Sequence, residues 1–294
     1  MYISKHLLKH MKQTMINQGF FLLCNTQNLF PNSQLDPDLK IKHFQPLSSW
    51  KDTEHLVSPS RVLSNLFWQE LPWDQIIQVL GNINVFDTGC GSGAYSQKLA
   101  DFSQNRIKSY KGVDVYEHTN WKNISEPQRT FETFSGKHIT PLIPTETNFF
   151  MSQSAIEHFP NDKRFFSEIN EFILKHRDRP IMQVHLFPSV ACMRLYGRHG
   201  YRQYTPRSIS RISELFSDST RTLFGLGGPA CTDVHQTFIA NPNFHEGIDY
   251  RKTKPEEYIK KLQEAILSDK YSFPHDPSFW ALIISSNFQN QNLF

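Results

Sequence analysis

INVFDTGCGSGAYSQKLADF, residues 83–102, reads as a short apolar run, an acid, three glycines at alternate positions and the start of a helix. The apolar run has the length of a buried strand. Gly89, Gly91 and Gly93 stand where the chain leaves it. Glycine takes positive φ without strain and lets the backbone come close to a ligand. In an open parallel sheet, ligands bind at the carboxyl ends of the strands. A dinucleotide fingerprint would read G-x-G-x-x-G and aim a helix N-terminus at a pyrophosphate. Here the pattern is G-x-G-x-G with Asp87 just ahead of it. A carboxylate in that place suits a ligand carrying positive charge better than a phosphate.

Working outward, SPSRVLSNLFWQEL (58–71) and PWDQIIQVLG (72–81) predict two helices ahead of the strand, with Ser58 or Ser60 as an N-cap, Pro72 at a start and Gly81 at a stop. Downstream, YKGVDV (110–115) is a second strand, TFETFSGKHITPLI (130–143) a weaker third, NFFMSQS (148–154) a fourth and PIMQVHLF (180–187) a fifth, with a helix over 162–177 between the last two. RTLFGL (221–226) and FWALIISSN (279–287) complete the set. Strands alternating with helices imply parallel pairing with helices on both faces. The expected fold is therefore α/β: a Rossmann-like, seven-stranded, mostly parallel sheet, with an N-terminal helical extension and a C-terminal insertion. Residues 1–57 read as the extension and 58–294 as the main domain, with insertions near 191–215 and 225–278.

Composition sets bounds on this reading. At 294 residues the chain suffices for one large domain, and 38% hydrophobic with 20% charged residues is ordinary for a globular protein. The 24 Phe predict a core or pocket rich in aromatic area. A net charge of +3 is too mild to announce a nucleic-acid partner. Cys24, Cys90, Cys192 and Cys231 lie far apart with no CxxC pairing, which argues against a zinc or disulfide framework and suits a cytoplasmic location. No run approaches the roughly 20 apolar residues of a membrane-spanning helix. The basic N-terminus has only the short GFFLLC patch, which predicts a packed helix rather than a signal peptide.

VFDTGCGSG resembles the first motif of class I S-adenosylmethionine (SAM) dependent methyltransferases. The resemblance implies SAM as cofactor, with Gly89, Gly91 and Gly93 under its methionine part and Asp87 near its amino group, commonly through water. YKGVDVYEH places Asp114 at the end of the next strand, where an acid can accept both ribose hydroxyls; a nicotinamide enzyme uses the same device. FFMSQSAIEHFPND (149–162) is similar to a third stretch of the family, which sets Ser152, Gln153 and Ser154 at a strand end beside the transferable methyl. It is not an NPPY-type motif, which disfavours amino groups of nucleobases. The resemblance covers residues 58–190 and leaves the acceptor open. One departure stands: no carboxylate follows the third strand, in FSGKHIT (134–140), where the family's adenine-binding acid falls. Either the third strand lies elsewhere than read here, or Ser135 and backbone groups make that contact.

His158 and His185 are the candidate proton acceptors, each near a strand's carboxyl end and each of a type that titrates near neutral pH. Glu157 and His158 are similar to the ExxEH metal pair of ubiquinone-pathway O-methyltransferases. Ser154 replaces the first acid of that pattern, so no metal is expected. RLYGRHGYRQYTPRSISR (194–211) holds five arginines and no acid. From it Arg194, Arg198, Arg202, Tyr201 and Tyr204 are expected to bind the acceptor, because guanidinium forks grip anions and tyrosines meet sugars and rings. The implied acceptor is a small, anionic molecule, such as a sugar or glycan intermediate. RNA methylation and SAM binding without catalysis stay open as alternatives, as does a homo-oligomer. GLGGPACTDVHQTF (225–238) reads as a lid or a turn, and 255–270 as a surface-packed amphipathic helix without chemistry.

Overall fold

A computed structural model describes residues 18–47, 50, 56–197, 199–271, 276–288 and 293–294. Residues 1–17, which hold most of the basic N-terminus, and Arg198 lie outside the described residues. Eight strands form one sheet: β1 Leu39–His43, β2 Ile83–Thr88, β3 Ile107–Asp114, β4 Arg129–Thr133, β5 Phe149–Gln153, β6 Ile181–Pro188, β7 Thr220–Leu226 and β8 Phe279–Ser286. Their order is β1-β7-β8-β6-β5-β2-β3-β4. All neighbours pair in parallel except β8, which runs antiparallel to β6 and β7. The chain order reverses between β2 and β5, so a crevice opens at their carboxyl ends.

The helices are α1 (residues 18–25), α2 Pro59–Gln69, α3 Trp73–Leu80, α4 Ala94–Phe102, α5 Asp162–Lys175, α6 Cys192–Tyr196, α7 Pro206–Ser213, α8 Pro229–His235, α9 Asn241–Glu246, α10 Tyr250–Thr253 and α11 Pro255–Tyr271. Strand alternation sends successive side chains to opposite faces of the sheet. Val85, Phe149 and Met151 join one core with Leu63, Leu66 and Phe67 of α2, while Phe86 and Phe150 join the other with Phe166, Ile169 and Phe172 of α5. Both faces are therefore covered, and β5, β6 and β8 are buried along their whole length. Burial on both faces is why apolar residues sit at successive positions in them, as at Phe149, Phe150 and Met151 or Leu282, Ile283 and Ile284. Among the described residues, no helix is long and apolar enough to cross a membrane.

The sheet has one strand more than expected. β1 comes from the stretch read as an extension and pairs with β7. Its pattern of one buried residue, three exposed and one half-buried is that of a sheet edge and gives no apolar run to find. The strand is fastened by Asp36, just ahead of it, whose carboxylate meets Arg221 Nε of β7 at 3.1 Å and accepts from Ser213 Oγ at 2.6 Å. Both partners are almost fully buried. Asp36→Ala removes the buried partner of Arg221 and leaves it the exposed Asp38 at 3.0 Å, so the loss should fall at the lower end of the roughly 3–5 kcal/mol that breaking a buried pair costs. A drop of that size in the free energy from denaturant unfolding is the expected result.

Gly227 and Gly228 form a strand-to-helix turn between β7 and α8, while Gly225 lies within β7. Asp269 of α11 accepts from the backbone N–H groups of Gly228 and Cys231, each at 2.8 Å, and of Ala230 at 3.1 Å. The amphipathic helix thus holds the N-terminus of α8 in place, as a carboxylate at a helix start does.

Candidate active site

The glycine loop leaves β2 with φ of +76° at Gly89, +54° at Gly91 and +78° at Gly93. Such values are strained for any residue with a Cβ. At Gly89 space also decides: a Cβ would lie 2.4 Å from that of Ala155. The loop must pass against the turn that follows β5, and only a bare backbone allows it. Asp114 at the end of β3 accepts from Gly91 N–H at 2.8 Å and from Tyr116 N–H at 3.3 Å. Trp121 Nε1 donates to Gly91 O at 2.8 Å, and Asn120 Nδ2 to Ser92 O at 2.9 Å. The short turn Thr119–Asn123 therefore clamps the loop from outside.

Asp87 lies beneath the loop, 1% exposed. Tyr110 Oη donates to its Oδ2. Its Oδ1 is buried and has no hydrogen-bond partner. Burial pushes the carboxyl from 3.8 up to about 7, the Tyr110 hydrogen bond opposing it and the nearby Asp114 adding to it. A buried acceptor without a donor is costly. Asp87 is thus fitted to receive a cationic donor group or a water held by one.

A pocket of about 730 Å³ opens beside the loop, inside the range of about 300–1,000 Å³ common for ligand sites. Gly89, Gly91, Asp114, Ser154, His158 and Tyr201 all line it. Val115, Tyr116, Phe134 and Phe159 add apolar and aromatic wall, and His118 stands 3.9 Å from Asp114. Ser154, at φ +53°, is held off the strand's course with its N–H on Leu186 O at 2.8 Å. A non-glycine residue in that conformation is uncommon outside turns and sites.

Several residues expected at the site lie elsewhere. His185 is fully buried in β6, edge-on to Phe165 and Phe166, with Ser152 Oγ at 2.8 Å from its Nδ1. Burial lowers its pKa to about 3, so it stays neutral. The pairing consumes Ser152 as well. Gln153 accepts from Trp68 Nε1 at 2.9 Å and donates to Ser64 Oγ at 3.2 Å, binding β5 to α2. Alternation sends Ser152 and Gln153 to opposite faces of the sheet, and both faces are covered there. Ser135 is exposed and does not line the pocket.

The arginine stretch corrects a further expectation. Its acids come from other segments: Asp276 meets Arg194 at 2.7 Å and Asp162 pairs with Arg202. Arg202, 5% exposed, also donates to Pro160 O at 2.8 Å, and Arg207 donates to Gln34 at 2.8 Å. Tyr204 is fully buried, its hydroxyl 3.0 Å from Asp162 and its ring against Phe187. Arg194, Arg202 and Tyr204 therefore build the loop, and Tyr201 alone of the described acceptor candidates faces the pocket. For Arg194 and Arg202 the chain supplies its own counter-charges, so these two do not call for an anionic ligand.

Two contributors had no motif. Asn25, at the end of α1, accepts from Gln203 N–H at 3.0 Å and donates to Tyr201 O at 3.3 Å, so the N-terminal segment braces the pocket loop. His199 comes beside Glu157 through a close approach at Gly200, φ +64°, where a Cβ would sit 2.5 Å from Glu157 O. Tyr201 N–H donates to that same oxygen at 2.7 Å. Glu157, His158 and His199 thereby converge.

Comparison with known proteins agrees with this geometry. The family model for a methyltransferase domain matches residues 86–175, from β2 through α5. No curated protein matches the chain. Among solved structures, the plantazolicin methyltransferase BamL, in complex with a desmethylPZN analogue and S-adenosylhomocysteine, is similar at 10% identity, covering 94% of this chain and 99% of that one, with a TM-score of 0.50. A SAM-dependent methyltransferase from Archaeoglobus fulgidus is 19% identical over 78% of this chain and 95% of its own, TM-score 0.45. Phosphoethanolamine N-methyltransferase 2 of Haemonchus contortus is 12% identical over 78% and 57%, TM-score 0.46. At 10% identity the likeness to BamL speaks for the fold alone.

Proposed function

We propose that this chain, whose fold and matched domain are those of class I SAM-dependent methyltransferases, methylates a hydroxyl of a small polar acceptor such as a sugar or glycan intermediate. One observation carries the reading: the glycine loop and Asp114 line the same pocket as His158 and Tyr201. When bound, SAM supplies the methyl group. Asp114 would hold the ribose hydroxyls, since each of its oxygens keeps a lone pair beyond the loop bonds it accepts. Val115 and Phe134 would flank the base, and Asp87 would meet the amino group through the loop. Tyr201 and Phe159 offer rings against which a sugar's apolar face can lie.

A hydroxyl nucleophile must lose its proton around the moment it attacks. His158 is the part of the wall able to take it up, with Glu157 and His199 beside it. His158, half-exposed on the pocket, is the direct acceptor in the metal-free protein. Alignment of the acceptor against the loop supplies the larger share of the rate.

The test has two stages. SAM at a hundredfold its dissociation constant should stabilise the protein by about 2.7 kcal/mol, read as a thermal shift. Methyl-labelled SAM with fractionated cell extract should then put label into hydroxylated small molecules. An absent thermal shift defeats the reading outright. Label in RNA would favour nucleic acid as acceptor, and binding without label in any fraction would favour a non-catalytic SAM protein.

A further inference from the structure

We infer that Glu157, His158 and His199 form a site for a divalent transition-metal cation on the acceptor side of the pocket. Their ligating atoms lie within 4.8 Å of one another. Glu157 Oε1 is 3.9 Å from His158 Nε2 and 3.7 Å from His199 Nε2. Both separations are too long for hydrogen bonds. They lie within a few tenths of an ångström of the roughly 3.4 Å between two ligands that each stand about 2.0–2.1 Å from one tetrahedral ion.

The carboxylate itself is the second observation. Glu157 is 0% exposed, and neither of its oxygens has a hydrogen-bond partner. Removing a carboxylate from water without replacing those bonds is among the costliest arrangements a fold can hold. Everything around it is arranged to keep it there: Tyr201 N–H and the bare Cα of Gly200 both close on its backbone oxygen. The imidazoles complete an arc around it, with ring centroids 4.9 Å apart.

Two imidazoles and one carboxylate select zinc or another first-row divalent ion, because magnesium and calcium prefer all-oxygen shells. The histidines are half-exposed, and His158 lines the pocket, so the fourth position opens toward the acceptor. Local sequence argued against a metal because Ser154 replaces the first acid of the ExxEH pattern. The third ligand instead arrives from His199, beyond β6.

This inference rests on the methyltransferase reading for its chemical consequence. A hydroxyl bound to the cation has a lowered pKa, and its proton passes to water while the oxygen keeps its electron pair. The acceptor class then narrows to molecules whose reacting hydroxyl oxygen can take that one open position.

The test is calorimetric titration of chelator-stripped protein with Zn²⁺. The expected result is one equivalent bound, with affinity falling at least tenfold in His199→Ala and in His158→Ala. Both side chains are partly exposed, so the variants should fold. Glu157→Gln serves as the third member of the set. In Co²⁺-loaded protein, visible d–d absorption should appear and be lost in His199→Ala. No zinc uptake by stripped wild type, or unchanged affinity in both histidine variants, overturns the site. SAM binding to the stripped protein is measured alongside. Its failure with zinc binding intact would remove the methyltransferase reading and leave the cation site standing, and the reverse result would do the opposite.

Discussion

Asp87→Ala should weaken SAM binding by roughly ten- to a hundredfold or more, the loss that follows from removing a hydrogen bond to a charged group of about 1.5–3 kcal/mol. The carboxylate is sealed under the glycine loop with one oxygen on Tyr110 and the other without a donor. A cationic amino group reaching it, directly or through water, would satisfy that oxygen and favour the ionised form. Burial holds the free protein's carboxyl near 7, so binding must drive off a proton below that pH. The wild-type affinity should therefore rise up to tenfold per pH unit toward about 7 and level off above it. In Asp87→Asn that slope should vanish.

The same group sets a stability trend of opposite use. Its folded pKa lies above the unfolded 3.8. The stability it contributes is complete below 3.8 and is lost as pH rises through about 7. The span is worth on the order of 4 kcal/mol at most. Asp87→Asn should accordingly match or exceed wild type in SAM-free stability at pH 8 while binding SAM poorly. Tight binding by Asp87→Ala at pH 8, measured calorimetrically, would overturn the assignment of the loop.

What sequence could and could not reveal follows from where each interaction closes. The glycine loop, Asp114 and the buried strands were legible because their constraints are local: a positive φ, a strand end, an unbroken apolar run. The edge strand β1 was not, since its exposed face shows no apolar pattern and its anchor, Arg221, lies across the chain from Asp36. The arginine stretch misled for the same reason. Counting charges within one segment ignores Asp162 and Asp276, which reach it only in the fold. His199 stood in that stretch between two glycines, and only Gly200's contact with Glu157 shows why it comes to lie beside that carboxylate. His185 and Ser152 shared a strand end with pocket residues but fell on inward positions, a difference of register that composition does not carry.

The two histidines near strand ends make a matched pair for the remaining prediction. His158→Ala should lower kcat/KM by roughly 10²–10⁴, the range for losing proton transfer at the reacting hydroxyl. It should change unfolding free energy little, since the side chain is half-exposed and its one acidic neighbour is 3.9 Å away. His185→Ala should do the reverse. It opens a cavity against Phe165 and Phe166 and leaves Ser152 without its partner, at a cost of about 2–5 kcal/mol in stability. Its folded fraction should turn over at the wild-type rate, because His185 is neutral and walled off from the pocket. Activity per folded molecule is the deciding measurement. A loss below tenfold in His158→Ala, or a hundredfold loss in His185→Ala, would move the proton acceptor away from the Glu157 cluster. Added Zn²⁺ then divides the two ways His158 can serve. Stimulation of the stripped wild type assigns it to holding the cation, and full activity without metal assigns it to taking the proton itself.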